Sequence, residues 1–298
     1  MANRAARGNL PGVSRPIVLA VTLASVLVGG AEGGTRSETL PQLSDYSLLA
    51  LERVVLRREA RVPSGAVGAV AGTITLGRDA RVTGTVAADT VRLSKSTRVG
   101  RLFCRLVIGG PLGGGVVGGP VVGGSPLPTC QTITQPLIDP TLLPLVQTAP
   151  GAIDLHVPAH SATAPIAAGS YADLVVGRGA LLQLAGGSYT ASAIRIRRRG
   201  RLVCTGECRI AVLGSVVLQR EAQLGAQAGL SAADARIDIS AGGPAPAFLA
   251  RAGSVVAATI YAPAGDVVLG ARGSYRGAYV GRSVTVGVAA RVRERSAL

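Results

Sequence analysis

Residues 169–204 read GSYADLVVGRGALLQLAGGSYTASAIRIRRRGRLVC and contain one pattern twice. A nine-residue motif, here called the coil motif, starts at Leu174 and again at Ile194. Its positions 1, 3 and 9 are apolar, and its position 7 is small. The motif also starts at Val54, Ile74, Val91, Val216, Val267 and Val284. The starts at Leu174 and Ile194 are 20 residues apart. A motif that returns at such a period, once per turn, indicates a solenoid in which successive turns of the chain stack on one another.

The coil motif predicts an all-β protein, a single-stranded right-handed parallel β-helix with a Gly/Pro-rich excursion. Each turn, or coil, is expected to contribute short strands that pair in parallel with those of its neighbours, about 4.8 Å away. In all eight copies, positions 1, 3 and 9 hold only apolar side chains or Tyr, so we expect them to face the interior. A two-sheet β-sandwich would also explain alternating strands, but it does not explain a motif that keeps its internal spacing eight times.

The composition favours stacked coils over a globular enzyme. Aromatic residues make up only 3% of the 298 residues, and Trp is absent. A globular enzyme of this length normally fills its core with large rings. Stacked coils fill a narrow interior with aliphatic side chains, and the chain is rich in Val, Ala, Leu and Gly.

Five segments are predicted along the chain. Residues 1–31 are typical of a secretory signal peptide, with Arg4, Arg7 and Arg15 before an apolar run that is too short to span a bilayer. A polar segment (32–45), N-terminal coils (46–108), a Gly/Pro-rich excursion beside the coils (109–168) and C-terminal coils (169–298) follow. No second apolar run has membrane length, so we expect an exported mature chain without an integral membrane segment. Its location would be periplasmic, cell-surface or extracellular.

The four cysteines are expected to form two disulfides, because an even number of cysteines fits an oxidising compartment. We expect Cys104–Cys130 across the Gly-rich segment and Cys204–Cys208 across a short Thr-Gly-Glu loop. The alternative is a zinc site built from all four, but the 104/130 spacing does not supply a close pair of ligands.

Basic residues concentrate at positions 5 and 8 of the coil motif, which are predicted to face solvent. Eleven of these 16 positions are basic, none is acidic, and the whole chain carries a net charge of +15. Stacking would align them as two basic ladders down one edge, able to bind a polyanion such as acidic polysaccharide. The alternative is a solvated face that reflects the chain's one-sided use of Arg. The candidate polyanion-binding residues are Arg58, Arg61, Arg78, Arg81, Lys95, Arg98, Arg178, Arg198, Arg201 and Arg220.

Other motifs do not predict a catalytic, cofactor or metal site. Gly113, Gly115 and Gly118 have dinucleotide-binding spacing, but no strand-then-helix unit surrounds them, so a loop is expected. His156 and His160 are four residues apart, and Pro158 between them argues against the helix that would align them as metal ligands. The carboxylates Asp173, Asp234, Asp238 and Asp266 are scattered, and Asp238 is expected to point outward from a strand.

The segments ITLGRDARV (74–82) and GAYVGRSVTVG (277–287) resemble secreted bacterial right-handed β-helix proteins and the bactofilins, polymer-forming cytoskeletal β-helix proteins. The resemblance covers about 46–108 and 169–298. It implies a β-helix that associates end to end through its terminal coils and has no catalytic activity. Bactofilins are cytoplasmic and lack the signal peptide, the cysteines and the long excursion found here. Pectate-lyase-like enzymes share the fold, but their clustered Asp and catalytic Arg are not found in this sequence.

These observations predict an exported structural or adhesive β-helix protein that binds an acidic polymer through an Arg-rich edge. Two alternatives remain at this stage. One is a polysaccharide-active lyase or hydrolase with a cleft on the coil face. The other is a self-assembling scaffold joined through its terminal coils, whose unpaired edges favour stacking.

Overall fold

The computed structural model describes residues 43–109, 116–117, 130, 143–144 and 146–293. They form a parallel β-solenoid of about 11 turns, which confirms the predicted all-β parallel β-helix. The described residues contain no α-helix, only single 3-10 turns at Leu43–Asp45 and Ala232–Asp234. The predicted signal peptide lies outside the described residues.

The described residues form 24 strands. They are β1 (Tyr46–Leu56), β2 (Arg61–Val62), β3 (Ala66–Ala69), β4 (Thr73–Leu76), β5 (Arg81–Leu93), β6 (Arg98–Ile108), β7 (Val116–Val117), β8 (Leu155–Val157), β9 (Gly169–Ser170), β10 (Asp173–Val176), β11 (Leu181–Leu184) and β12 (Gly187–Ala191). The rest are β13 (Ala193–Ile196), β14 (Arg201–Cys204), β15 (Cys208–Val212), β16 (Val216–Leu218), β17 (Gln223–Ala226), β18 (Ala235–Ile239), β19 (Phe248–Ala250), β20 (Val255–Ala257), β21 (Thr259–Leu269), β22 (Ser274–Arg276), β23 (Tyr279–Val286) and β24 (Arg291–Arg293).

The strands form three parallel ladders. Motif positions 1–3 lie on the first ladder, and position 8 begins the second. The third contains β12, β15 and β18, together with the first halves of β21, β23 and β1. At positions 1, 3 and 9 of the eight motif copies every side chain is buried except Leu93, which is half-buried beside the last coils. The predicted inward positions are therefore confirmed, and their aliphatic side chains form the core.

The order of the coils in space differs from their order in the sequence. The first strand of the chain, β1, lies between β4 and β23, so that Val54 is the register partner of both Ile74 and Val284. The N-terminal coils thus stack on the last C-terminal coil. Position 1 runs through the stack as Leu155, Leu174, Ile194, Val216, Phe248, Val267, Val284, Val54, Ile74, Val91 and Val107.

The coil path is continuous across this junction. Within one coil, the chain passes from β22 to β23 between Arg276 and Tyr279. In the next coil, Arg293 is the register partner of Arg276, and Leu48 is the register partner of Tyr279. The path that leaves Arg293 therefore leads to the start of β1. The fold is therefore a regular solenoid in which the last and first coils of the sequence are neighbours in the middle of the stack, with no peptide connection from Arg293 to Tyr46.

Residues between 109 and 155 must consequently connect the two ends of the stack, about 48 Å apart at ~4.8 Å per coil. Within this connection, residues 143–144 and 146–151 are here called the strap. The Tyr261 hydroxyl donates to the Pro144 carbonyl (2.7 Å), and the Thr190 hydroxyl donates to the Ala149 carbonyl (3.0 Å). The Gly151 amide donates to the Tyr171 carbonyl (3.0 Å). The strap thus runs along the outside of the coils, in the direction opposite to their order.

Coil strands begin at Leu155, earlier than the sequence boundary at residue 169. The strand β8 pairs with β10, and Ala162 and Ile166 make parallel bridges to β11. This coil has the motif at positions 1, 3 and 7, but Thr163 occupies position 9, which is apolar in the other copies. A search for apolar spacing therefore passes over it.

Each coil turns a corner at motif positions 4–7 with the same backbone geometry. Position 6 is left-handed in ten coils, with φ between 55° and 73°, although only Gly179 and Gly253 are glycines. This conformation directs the position-6 amide along the stack, where it donates to the position-5 carbonyl of the next coil. The series crosses the junction without a break, since Arg272 donates to Val288, Ala289 to Arg58, and Glu59 to Arg78. These bonds offset the strain of left-handed non-glycine residues.

Position 7 is small, and it is buried in the described coils except at the half-buried Ser161, because the corner leaves little room for a larger side chain. Where it carries a hydroxyl, that group donates to the position-4 carbonyl, as in Ser254 to Arg251 (2.7 Å) and Ser161 to Pro158 (2.7 Å). Gly273 is a special case, because a Cβ there would meet the ring of Tyr275 at less than 3 Å. Tyr275 occupies the interior position 9 and donates to the Gly270 carbonyl (3.0 Å).

We predict that Gly273→Ala lowers the free energy of unfolding by about 1–3 kcal/mol, because the new methyl group overpacks the corner. In a Tyr275→Val background the same substitution should cost less than ~0.5 kcal/mol, since Ala at position 7 with Val at position 9 is the combination found at Ala290 and Val292. Denaturant unfolding of the four proteins measures the coupling. Equal costs of Gly273→Ala in both backgrounds would contradict the packing explanation.

We also predict that a circular permutant retains the fold. It joins Arg293 to Tyr46 through a short Gly-Ser linker and opens the chain between Gln135 and Pro136. Because the coil path is continuous at the junction, the far-UV circular dichroism should be unchanged and Tm should stay within about 4 °C, the shift that ~1 kcal/mol produces at this size.

The matched control carries the same linker but opens the chain between Arg199 and Gly200, inside a corner, and should melt lower. An unfolded first permutant would show that the N-terminal coils do not stack on β23.

Candidate functional site

The first feature is a row of four arginines at motif position 8 of adjacent coils. Arg291 is the register partner of Arg61, Arg61 of Arg81, and Arg81 of Arg98. All four are exposed and follow one another at the strand spacing of about 4.8 Å. The row crosses the junction between the last and first coils, so residues far apart in sequence form one surface.

Position 5 adds a second basic row on the same coils, formed by Arg58, Arg78 and Lys95. The left-handed corner places Glu59 and Asp79 next to this row, and Glu59 pairs with Arg58 (3.1 Å). The seven basic residues outnumber these two carboxylates, so the surface is strongly positive. We call it the first basic patch, and its members are Arg58, Arg61, Arg78, Arg81, Lys95, Arg98 and Arg291.

Arg178, Arg198 and Arg220 occupy position 5 of three adjacent coils at the other end of the stack, with Arg201 at position 8. These four form the second basic patch. Here Glu221 is shared, pairing with Arg199 (2.6 Å) and Arg198 (3.6 Å). The hydrogen bond from Arg199 holds the pKa of the Glu221 carboxyl below its usual range.

The two patches are separated along the stack. In the position-5 column, Ala252, Ala271 and Val288 lie between Arg220 of the second patch and Arg58 of the first. The expected pair of ladders down one edge is thus divided into two basic segments, whose position-5 rows are about 19 Å apart at ~4.8 Å per coil. The division arises because the coils do not stack in sequence order. It also arises because one further coil, which starts at Phe248 and fits the motif, lies between the two patches. Sequence reasoning omitted both that coil and Arg291 from the candidate set.

A groove on the third ladder forms a separate candidate site. Two columns of outward side chains form its floor, Ser188–Arg209–Arg236 and Thr190–Ala211–Asp238–Tyr261. Pro144, Val146 and Gln147 of the strap form its wall, and its volume is about 400 Å³. We call it the strap groove.

Asp238 anchors the charges of the strap groove. Its side chain is only 5% exposed and accepts hydrogen bonds from Arg209 Nε (3.0 Å) and Arg236 Nε (2.7 Å). The Arg236 guanidinium also lies 5.5 Å from the centroid of the Tyr261 ring. Burial raises the pKa of Tyr261, an effect that Arg236 partly offsets.

Asp238 does point outward from its strand as expected, but Arg209 and Arg236 cover it. The alternating Arg-Ile-Asp-Ile of residues 236–239 is the signal that could have drawn attention to these arginines.

The structure does not bring the remaining chemical candidates together. His156 is exposed on β8, whereas His160 occupies a position-6 corner, and Asp154 accepts the Asp173 amide (3.0 Å). Within the described ranges no group of three His, Cys, Asp or Glu residues could hold a metal ion. Asp266 pairs with Arg282 (3.0 Å) on a different coil from the Asp238 cluster.

Tyr171 and Tyr189 both follow a Gly-Ser pair in the sequence, but the two side chains do not lie in equivalent positions of their coils. Tyr189 is the register partner of Gly169, so the two copies of Gly-Ser-Tyr are out of register with each other. Tyr189 points inward and donates to the Ala185 carbonyl (2.7 Å), and burial raises its pKa to about 12. The two tyrosines differ in position because register follows the inward apolar side chains, not sequence similarity.

The four cysteines are in two different states. Cys104 and Cys130 form the expected disulfide, with Cα atoms 5.2 Å apart. Cys204 and Cys208 are free thiols, both buried, so the second expected disulfide is absent from this structure. The hydrogen bond between them and burial raise the pKa of Cys204 far above its usual range. The Cys208 thiol also donates to the Ala185 carbonyl (3.3 Å).

Comparisons with protein-family models, with curated proteins and with solved structures find no match to this chain. In the described part of the chain no helix has the length and apolarity needed to cross a bilayer.

We predict two reactive thiols per chain when the protein, purified without reductant, is denatured and treated with a chromogenic thiol reagent. Almost none should react in the folded protein, because both free cysteines are no more than 1% exposed. The Cys204→Ala/Cys208→Ala variant should give none after denaturation. A count of zero in the wild type would mean that the second disulfide forms, and a count of four that Cys104–Cys130 does not.

Proposed function

We propose that this protein is an exported structural or adhesive β-solenoid that binds an acidic polysaccharide along its basic patches. The observation that carries the proposal is the four-arginine row of Arg291, Arg61, Arg81 and Arg98. A linear polymer with regularly spaced carboxylates matches a linear row of guanidinium groups.

Fold stability gives no reason for such a row. Like charges this close repel one another by about 1 kcal/mol per neighbouring pair even in water. The coil itself needs only an outward, solvated side chain at position 8, and Ser274 and Gln223 meet that need in other coils. A polyanion would relieve the repulsion and release its own counterions.

The length of the first basic patch supports a polymer over a single small anion. The row of four spans about 14 Å at ~4.8 Å per coil, and the parallel position-5 row widens the positive surface. The described residues also place no stacked aromatic side chains beside the patch, so the arrangement fits carboxylates better than nucleic acid bases.

Export is supported by two independent features. The sequence of residues 1–31 is typical of a signal peptide, and the Cys104–Cys130 disulfide is compatible with an oxidising compartment. We propose a cell-surface, periplasmic or extracellular location.

Binding of polygalacturonate at several salt concentrations tests the proposal. The association constant should fall steeply with salt, as expected for displacement of counterions. Arg61→Gln/Arg81→Gln should weaken binding at low salt and reduce the salt slope by about 1.5, since each lost contact contributes roughly 0.7–0.9.

The control Arg195→Gln/Arg251→Gln removes the same charge from exposed positions outside the first basic patch and should bind much as the wild type does. A salt-independent constant, or equal loss in the two variants, would exclude the patch as the binding surface.

A further inference from the structure

We propose that the strap groove is a discrete binding site for the carboxylate of a sugar acid. This site is distinct from the basic patches and takes a single sugar or a short segment. The choice of a sugar acid among carboxylates rests on the acidic polysaccharide proposed above, whereas the anion preference follows from the groove itself.

The two guanidinium groups are oriented so that their terminal nitrogens are available. Arg209 and Arg236 both bind Asp238 through Nε, and their hydrogen bonds to other described residues involve no Nη atom. Each guanidinium carries five N–H groups, so four remain on each side chain. The Arg209 side chain is 66% exposed and that of Arg236 40%, which leaves these donors accessible from the groove.

The charge balance of the groove selects an anion. Two guanidinium groups against one carboxylate leave one net positive charge, so a cation is repelled. Asp238 is nearly buried and fully engaged by its two arginine partners. Asp238 therefore holds the guanidinium groups of Arg209 and Arg236 in a fixed orientation. A planar carboxylate matches the paired N–H groups of a guanidinium better than a spherical anion does.

The shape of the groove admits more than an inorganic ion. Its volume of about 400 Å³ falls within the usual range of small-molecule sites, about 300–1,000 Å³. Ala211 lies between Thr190 and Asp238 in the floor column, and its small side chain creates the depression. Ser188 and Gln147 add a hydroxyl and an amide to the lining, the groups that bind sugar hydroxyls.

The strap wall is fixed in advance of binding. Tyr261 donates to the Pro144 carbonyl and Thr190 to the Ala149 carbonyl, so hydrogen bonds hold the strap at both sides of the groove. The ring of Tyr261 is held in turn by Arg236. A preformed wall reduces the ordering cost of binding a small ligand.

Calorimetric titration of the full chain with trigalacturonate tests the site, with neutral galactotriose as the comparison ligand. The acidic trisaccharide should bind and the neutral one should not. Arg209→Gln should weaken binding at least about tenfold, because it removes one fork while Arg236 still pairs with Asp238. Ala211→Leu should have a similar effect by filling the depression without any change of charge.

Arg195→Gln, which removes one exposed charge outside the groove, should bind trigalacturonate within about twofold of the wild type. Arg209→Lys keeps the positive charge but removes the paired N–H groups of the guanidinium, so this variant should bind trigalacturonate more weakly than the wild type does. Melting curves check that every variant is folded. Wild-type affinity in folded Arg209→Gln and Ala211→Leu, or equal binding of galactotriose, would overturn the proposal.

The two proposals fail in different ways. If polygalacturonate binds with the salt dependence described above but trigalacturonate does not bind, the groove assignment falls and the polymer-binding function stands. If trigalacturonate binds in the groove and polygalacturonate is insensitive to Arg61→Gln/Arg81→Gln, the basic patch falls instead.

Discussion

The parallel pairing of β1 with β23 is the contact on which the rest of this structure depends. It places Val54 on Val284, joins the two apolar interiors into one core, and carries the corner hydrogen bonds from Ala289 to Arg58 without a gap. Without it, two sheet edges in the middle of the stack would be left with unpaired backbone groups. The same contact forces the chain to return over the whole stack, and so produces the strap.

Both candidate sites are products of that contact. The first basic patch is a continuous row only because Arg291 of the last coil meets Arg61 of the first. The strap groove has its wall only because the returning chain crosses the third ladder near Tyr261 and Thr190. A solenoid with its coils in sequence order would need no such return, and the floor residues would lie on an open face. The coils therefore supply regular rows of side chains, and the chain order gives them their local shape.

The interior of the fold could be predicted from the sequence because each coil repeats the same requirement. An apolar residue at positions 1, 3 and 9 and a small one at position 7 are needed in every copy, so eight copies reveal them. The order of the coils could not be predicted, because all coil edges present similar backbone groups and similar aliphatic side chains. Nothing in Val284 identifies Val54 as its neighbour. The left-handed corner was also hidden, since residues such as Arg199 and Ala289 occupy a conformation that usually indicates glycine. The groove escaped prediction because Arg209, Arg236 and Asp238 are each ordinary outward residues and become a cluster only when three coils and the strap are assembled.

The position of the two chain ends along the coil path has a mechanical consequence. The described chain enters the stack at β1 and leaves it at β24, and both strands belong to central coils. Residues 43 and 293, where the described coils begin and end in the sequence, therefore lie in the middle of the stack and not at its two end coils. A force that pulls residues 43 and 293 apart would act across neighbouring coils in the middle of the stack. The pairing of β1 with β23 would be the first contact to resist it. Force on this solenoid is therefore applied at its central coils, whereas force on a solenoid with its coils in sequence order is applied at its terminal coils.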